Sequence, residues 1–153
     1  VRGQRSEVRG PRSERFNEGV GVGRIEKFED INAWQEARNL VEMIYKLTQS
    51  RNFANDYRLR DQIRSAAVSV MSNIAEGFDS QSDIEFIKFL VYARRSASET
   101  QSHLYVALDA GYLERSEFDV FYDKTVEVKG LVGGFIRYLR QKRAENNDIR
   151  HRT

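Results

Sequence analysis

The chain has 153 residues, 40% of them hydrophobic and 31% charged, with one proline and ten glycines, a composition for one soluble, helix-rich domain rather than turn-rich β architecture. It contains no cysteine, which excludes disulfides, thiolate nucleophiles and Cys-based zinc sites. The formal net charge of +2 is unevenly distributed: residues 1–29 carry seven Lys/Arg against five Glu, residues 30–136 twelve against sixteen acids, and residues 137–153 six against two. Basicity belongs to the ends and the middle is acidic, so the charge of the whole says little about the folded surface.

Residues 1–27 open with a heptapeptide repeat, RGQRSEV at 2–8 and RGPRSER at 9–15, followed by the glycine-rich GVGVGR at 19–24. With few large hydrophobics before Phe28, the segment reads as a disordered extension, either incidental upstream sequence or a nucleic-acid-binding arm. Val1 fits an alternative start codon or a trimmed chain. The start has no apolar signal core, and no apolar run approaches the ~18–20 residues of a membrane span, so a cytoplasmic location without a membrane partner is expected.

From Asp30 the pattern turns helical. Trp34, Ala37, Val41, Ile44 and Thr48, widened by Leu40 and Leu47, predict a first helix over about 32–49. Asn52 to Asp56 read as a polar connection. Leu59, Ile63, Ala66, Val70 and Ile74 predict a second helix, with Gly77 at the place of a left-handed C-terminal cap. Ser82-Asp83-Ile84-Glu85 is a capping-box sequence opening a third helix. Its seam, Phe86, Leu90, Ala93, Ala97, Thr100, Leu104 and Ala107, runs to Gly111 over roughly 42 Å at 1.5 Å per residue. A fourth helix starts at Ser116 and keeps a heptad-like seam, Phe118, Phe121, Thr125, Val128, Val132, Phe135 and Leu139, to about residue 143. The remaining residues, 144–153, are expected to fray. The domain is thus residues 28–143, and the fold class predicted is all-α: an antiparallel up-down-up-down four-helix bundle.

The second helix has an unusual wet side. On a wheel at about 100° per residue, its apolar arc from Leu59 through Ala67, Met71, Ala75 and Val68 is wider than one interface needs. Beside it runs a stripe of mainly small polar residues: Gln62, Ser65, Ser69, Ser72, Asn73 and Glu76. Three readings stand: a solvent face, an intersubunit or interhelix contact, and a polar ligand pocket around Asn73 and Glu76. The contact fits the wide arc best, and nominates Ser65, Ser69, Ser72, Asn73 and Glu76. Gly130, Gly133 and Gly134 on the fourth helix each cost about 1 kcal/mol of helix propensity relative to Ala. Close backbone packing or a kink would explain them.

Catalytic signatures are missing one by one. Gly19-Val20-Gly21-Val22-Gly23-Arg24 fails the dinucleotide fingerprint because Arg24 occupies the third glycine's place. A di-iron bundle needs Glu-x-x-His on each of two helices, and Thr100 stands three residues before His103. No catalytic, cofactor-binding or metal-ligating residue is nominated. Phosphate contact would draw on Arg58, Arg60, Arg64, Arg94, Arg95, Arg137, Arg140, Lys142 and Arg143, each also readable as part of a solvated helix face.

The order of motifs carries a family resemblance. KFEDINAWQEARNLVEMIYKLT at 27–48, LRDQIRSAAVSVMSNIAEGFDSQSDIEFIKFLVYARRSASETQSHL at 59–104 and ALDAGYL at 107–113 resemble the four-helix bundle proteins of 23S ribosomal RNA intervening sequences. The most specific pieces are FED-x-x-x-WQ-x-AR, SNIAEG and S-x-x-EF-x-x-FL. The resemblance implies a left-handed antiparallel bundle assembling into a ring, a homopentamer, with no known catalytic activity. The family's gene location raises RNA binding, and a related branch serves diversity-generating retroelements as a basic accessory protein contacting the reverse transcriptase and nucleic acid. The acidity of this bundle departs from that branch, and Met71 stands where the family often has proline. Trp34, Gln35, Asn73, Glu76 and Gly77 match motif positions without acquiring chemistry from them. The expectation is a non-enzymatic oligomeric interaction protein whose partners are copies of itself and structured RNA or a nucleic-acid enzyme. The alternative is a purely protein-binding scaffold.

Overall fold

One carboxylate organises the entry to the first long helix. In the computed structural model, which describes residues 25–152, Asp30 accepts hydrogen bonds from the backbone N–H groups of Glu26 at 3.0 Å and Lys27 at 3.2 Å. These bonds, Glu26's first, hold the Asp30 carboxyl below its ordinary range. They close a 3-10 turn at Phe28–Asp30 and bring Ile25 into the core at 6% exposure. The packed fold therefore starts before residue 28, where the sequence places its boundary. The heptapeptide repeat and glycine-rich run lie outside the described residues.

Helix α1, Asn32–Leu47, buries Ala33, Ala37, Leu40, Ile44 and Leu47, and ends where the buried Thr48 hydroxyl donates to the Ile44 carbonyl at 2.8 Å. The expected polar connection contains a short helix, α2, Arg51–Ala54, because Phe53 is fully buried and packs its ring 5.1 Å from that of Tyr112. One large apolar side chain among polar ones is too short a pattern to show a period. Asp56 then caps α3, Tyr57–Asp79, accepting from the Leu59 N–H at 3.1 Å. Its other oxygen accepts from the Tyr112 hydroxyl at 2.8 Å, and the two bonds, Leu59's first, lower the Asp56 pKa.

Helix α3 does not stop at Gly77. It continues to Asp79 with Gly77 buried inside it, and the next helix, α4, Asp83–Asp109, begins after Ser80, Gln81 and Ser82. The predicted cap at Ser82 is present, its hydroxyl accepting from the Glu85 N–H at 3.4 Å. All of the predicted seam residues of this helix are buried. Gly111, at φ +77°, does end it: the Tyr112 N–H bonds the Ala107 carbonyl and the Gly111 N–H that of Leu108, each at 3.0 Å, a left-handed cap of the Schellman type.

Helix α5, Arg115–His151, starts on the reciprocal cap of Glu114 and Glu117 and runs well past residue 143. The fraying expected for residues 144–153 is not seen as far as His151. Every residue from Ala144 to Arg152 is exposed, so these turns are held locally, as in the Gln141 to Glu145 side-chain bond at 3.2 Å, and not by packing.

The four long helices surround one core in which α1 meets α3 and α5, and α4 also meets α3 and α5. Phe86, Phe118, Leu40, Ile63, Leu104 and Ile136 are among its fully buried side chains, each contributing about 1.5–3 kcal/mol on burial. Lys124 ties α5 to α1 through Glu36, and this bond is the chief cause of the lowered Glu36 pKa. Among the described residues there is no strand, and no helix is long and apolar enough to cross a membrane.

Candidate interaction surfaces

The small-residue stripe of α3 divides in two. Ser69 accepts from the Ser96 hydroxyl of α4 at 2.9 Å, and Asn73 donates back to the Ser69 carbonyl at 2.8 Å and hydroxyl at 3.0 Å. These two residues sit in the α3–α4 contact and serve the chain's own packing. Ser65, Ser72 and Glu76 face outward and are exposed.

One turn further on, Gly77 shows how near α4 comes. A Cβ at this position would stand 2.7 Å from Phe86 Cδ2 and 2.8 Å from Phe89 Cβ. The SNIAEG and S-x-x-EF-x-x-FL motifs therefore meet at one corner, glycine beneath two phenylalanines, with Phe86 passing contact on to Phe78 at 6.1 Å and Phe135 at 5.1 Å. FED-x-x-x-WQ is a second lock. Phe28 packs on Trp34 at 5.1 Å, and Gln35 donates from its side chain to the Glu29 carbonyl at 2.9 Å. Each of these motifs resolves into packing or capping.

The glycines of α5 do the opposite of Gly77. Among the described residues nothing lies within 4 Å of a Cβ built on Gly130, and those on Gly133 and Gly134 meet the Arg137 guanidinium of their own helix at 3.5 and 3.7 Å. Among the described residues no other helix comes as near to these glycines as α4 does to Gly77. Gly130 and Gly134 instead border a cavity of about 310 Å³, walled by Ile25, Ile31, Leu131, Phe135 and Tyr138.

The nominated cations do not gather into one patch. Arg60 lies over the Tyr57 ring at 4.8 Å, pairs with Asp61 at 3.1 Å and donates to the Ala54 carbonyl at 3.2 Å. Arg64 covers Tyr45 at 4.5 Å and donates to the Thr48 hydroxyl at 2.7 Å. Arg58, beside them, is exposed; on α4, Arg94 is half-buried and Arg95 exposed. Arg137, Arg140, Lys142 and Arg143 stand beyond Phe135, at the end where Phe86 packs, whereas Arg58, Arg60 and Arg64 share the end of the Asp56–Tyr112 bond. Sequence reasoning found these residues but could not separate the ends; it also left Arg150 and His151 in a tail that proves to be helix.

His103 is half-buried, with Nε2 3.4 Å from Glu99 Oε1. Among the described residues no three His, Asp or Glu side chains gather as a metal site would require.

What these observations define is a helical protein whose distinctive residues serve architecture. The family model described as 23S rRNA-intervening sequence protein matches residues 29–134, more than half of the chain, and the chain belongs to that family. It is also similar to a crystal structure of a protein of unknown function from the S23 ribosomal protein family of Bacteroides thetaiotaomicron. The two share 23% identity and a TM-score of 0.62 over 68% of this chain and 97% of the other, a likeness of fold. No curated protein matches the chain.

Proposed function

We propose that this chain is a non-enzymatic interaction protein: a left-handed antiparallel four-helix bundle that assembles into a homopentameric ring, inside the cell, and binds structured RNA through basic surfaces repeated around it. Antiparallel order is supported by the short Ser80–Ser82 connection and by the contacts at each end, Asp56 with Tyr112 at one and Phe86 with Phe135 at the other. Assembly is supported by the outward half of the α3 stripe, Ser65, Ser72 and Glu76, and by the exposed Gly130 of α5.

The observation that carries the RNA reading is the segregation of charge. The span 30–136 has twelve cations against sixteen acids, while residues 137–153 have six against two. A single such patch binds a polyanion weakly because little counterion is released, but a ring presents it several times on one rigid body and converts later contacts into intramolecular ones. Fluorescence anisotropy of a labelled RNA hairpin at low salt tests this: saturable binding that weakens steeply with salt is expected, and no binding at about 50 mM salt refutes it. The acidic bundle favours a second reading, a protein-binding scaffold with no nucleic-acid role, which the same negative result would leave standing.

A further inference from the structure

Arginine and aromatic side chains pair along one groove of the bundle. On wheels at about 100° per residue, Trp34, Arg38 and Tyr45 share one flank of α1, and Tyr57, Arg60 and Arg64 share one flank of α3. The flanks meet where Arg64 reaches across from α3, lying over the Tyr45 ring at 4.5 Å and donating from Nε to the Thr48 hydroxyl at 2.7 Å. Arg38 over Trp34 at 5.9 Å and Arg60 over Tyr57 at 4.8 Å repeat the pairing on the same flanks. Beside the central pair is an open hollow of about 340 Å³, lined by Tyr45, Asp61, Arg64, Ser65 and Val68. Arg64 is half-buried, tied at one edge by Thr48 and covered on one face by Tyr45, so it presents a planar cation in a fixed place. Among the described residues it has no carboxylate partner. Asp61 gives Oδ1 to Arg60 Nε at 3.1 Å, which leaves Oδ2 and the Ser65 hydroxyl as polar atoms of the rim.

We infer that this hollow takes one unpaired nucleobase of RNA, stacked on the Arg64 guanidinium with Tyr45 beneath. The inference rests on the RNA reading above and adds the class of RNA: loops and bulges, whose bases are free to leave the stack, rather than duplex. Unpaired bases stack on aromatic rings and on arginine planes, and every base has a π-face to offer, whereas the bases of an A-form helix are shut inside it. The rim supplies what a base edge needs, an acceptor for an exocyclic amine or ring N–H from Asp61 and a hydroxyl for a carbonyl or ring nitrogen from Ser65. A bare phosphate or carboxylate fits less well, because Asp61 repels it and a stacked guanidinium offers its plane more than its fork. An apolar protein segment also fits less well, since Val68 is the one aliphatic side chain of the lining.

The test uses the full-length protein and an RNA hairpin whose loop carries a fluorescent adenine analogue with emission that responds to stacking. Arg64→Lys keeps the charge and removes the plane, and Tyr45→Leu removes the ring without changing charge. Wild-type protein should alter the loop emission at saturation. Both variants should lose that response and bind about fivefold or more weakly, with the log–log salt slope of the wild type because no cation is lost. A blunt duplex of the same length should bind all three proteins alike, and an equal loss on the duplex would overturn the inference in favour of undirected attraction. A wild-type response and affinity in either variant would overturn it while leaving the RNA reading intact. Displacement of the hairpin by a free nucleoside monophosphate at matching concentration would assign the hollow to a small nucleotide and overturn it too. Wild-type protein that binds no hairpin would end the RNA reading and this inference together. A smaller particle for either variant, read by light scattering, would show the hollow used in self-assembly and would also overturn it. Circular dichroism melting confirms that each variant is folded. Tyr45 is 39% exposed, so its variant carries the test if losing the Arg64 bond to the buried Thr48 unsettles the other.

Discussion

Gly77 and Gly111 are both helical-pattern glycines near a turn, and substitution should treat them in opposite ways. At Gly77 the backbone is helical and the obstacle is α4: an added Cβ meets Phe86 Cδ2 at 2.7 Å and Phe89 Cβ at 2.8 Å, and the second of these atoms is fixed to its backbone. Removing a helical glycine gains about 1 kcal/mol of propensity, while forcing extra volume into a packed contact costs about 1–3 kcal/mol. With two contacts below 3.0 Å the cost falls at the high end, so Gly77→Ala should lose about 1–2 kcal/mol net and Gly77→Asn more. At Gly111 nothing among the described residues lies within 4 Å of an added Cβ, and the obstacle is φ +77°. A left-handed residue costs about 1–2 kcal/mol unless it is Gly or, to a lesser degree, Asn. Gly111→Ala should therefore lose about 1 kcal/mol, and Gly111→Asn less than Gly111→Ala. Urea unfolding followed by circular dichroism at fixed protein concentration measures all four, with the slope m checked for constancy. Asparagine better tolerated than alanine at Gly77 would refute the close approach of α3 and α4 and restore Gly77 as a helix cap.

Three further outcomes follow from the packing. Ser69→Ala removes the acceptor of Ser96 and one partner of Asn73 and should cost about 1 kcal/mol in the same unfolding assay; Ser65→Ala, on the exposed side, should change stability by less than about 0.5 kcal/mol. Ser72→Arg should give a smaller particle by light scattering with unchanged helicity, and an unchanged mass would place that stripe in water. Glu36 has its pKa lowered, first by the Lys124 bond. A depressed folded pKa contributes stability present above the unfolded value and lost as pH falls through the folded one. Below the ordinary value of 4.5 the wild type should thus lose stability faster than Glu36→Gln, and parallel pH profiles of the two would contradict the pairing.

Long periodic segments were legible from sequence because burial imposes the helical repeat directly: every predicted seam residue of α4 is buried. Phe53 was not legible, since a four-residue helix is too short to show a period and its side chain is held by Tyr112 from a distant turn. Gly77 looked like a cap because sequence shows a glycine near a helix end but not the phenylalanines above it. Ser69 and Ser72 share one wheel face, and only the position of Ser96 divides inward from outward. The end of α5 was missed for a related reason: exposed turns carry no apolar period, so their helicity rests on local propensity, which pattern reading discounts. The two arginine groups were found as residue types, but their separation to opposite ends is a property of the tertiary arrangement.

The central claim is that one modest basic surface becomes effective by repetition around a ring, so the mass of the assembly tests it most directly. Static light scattering of the full chain, across a tenfold or greater range of concentration, should give a single species at five times the 17.8 kDa subunit. A particle that stays at 17.8 kDa throughout would contradict the account.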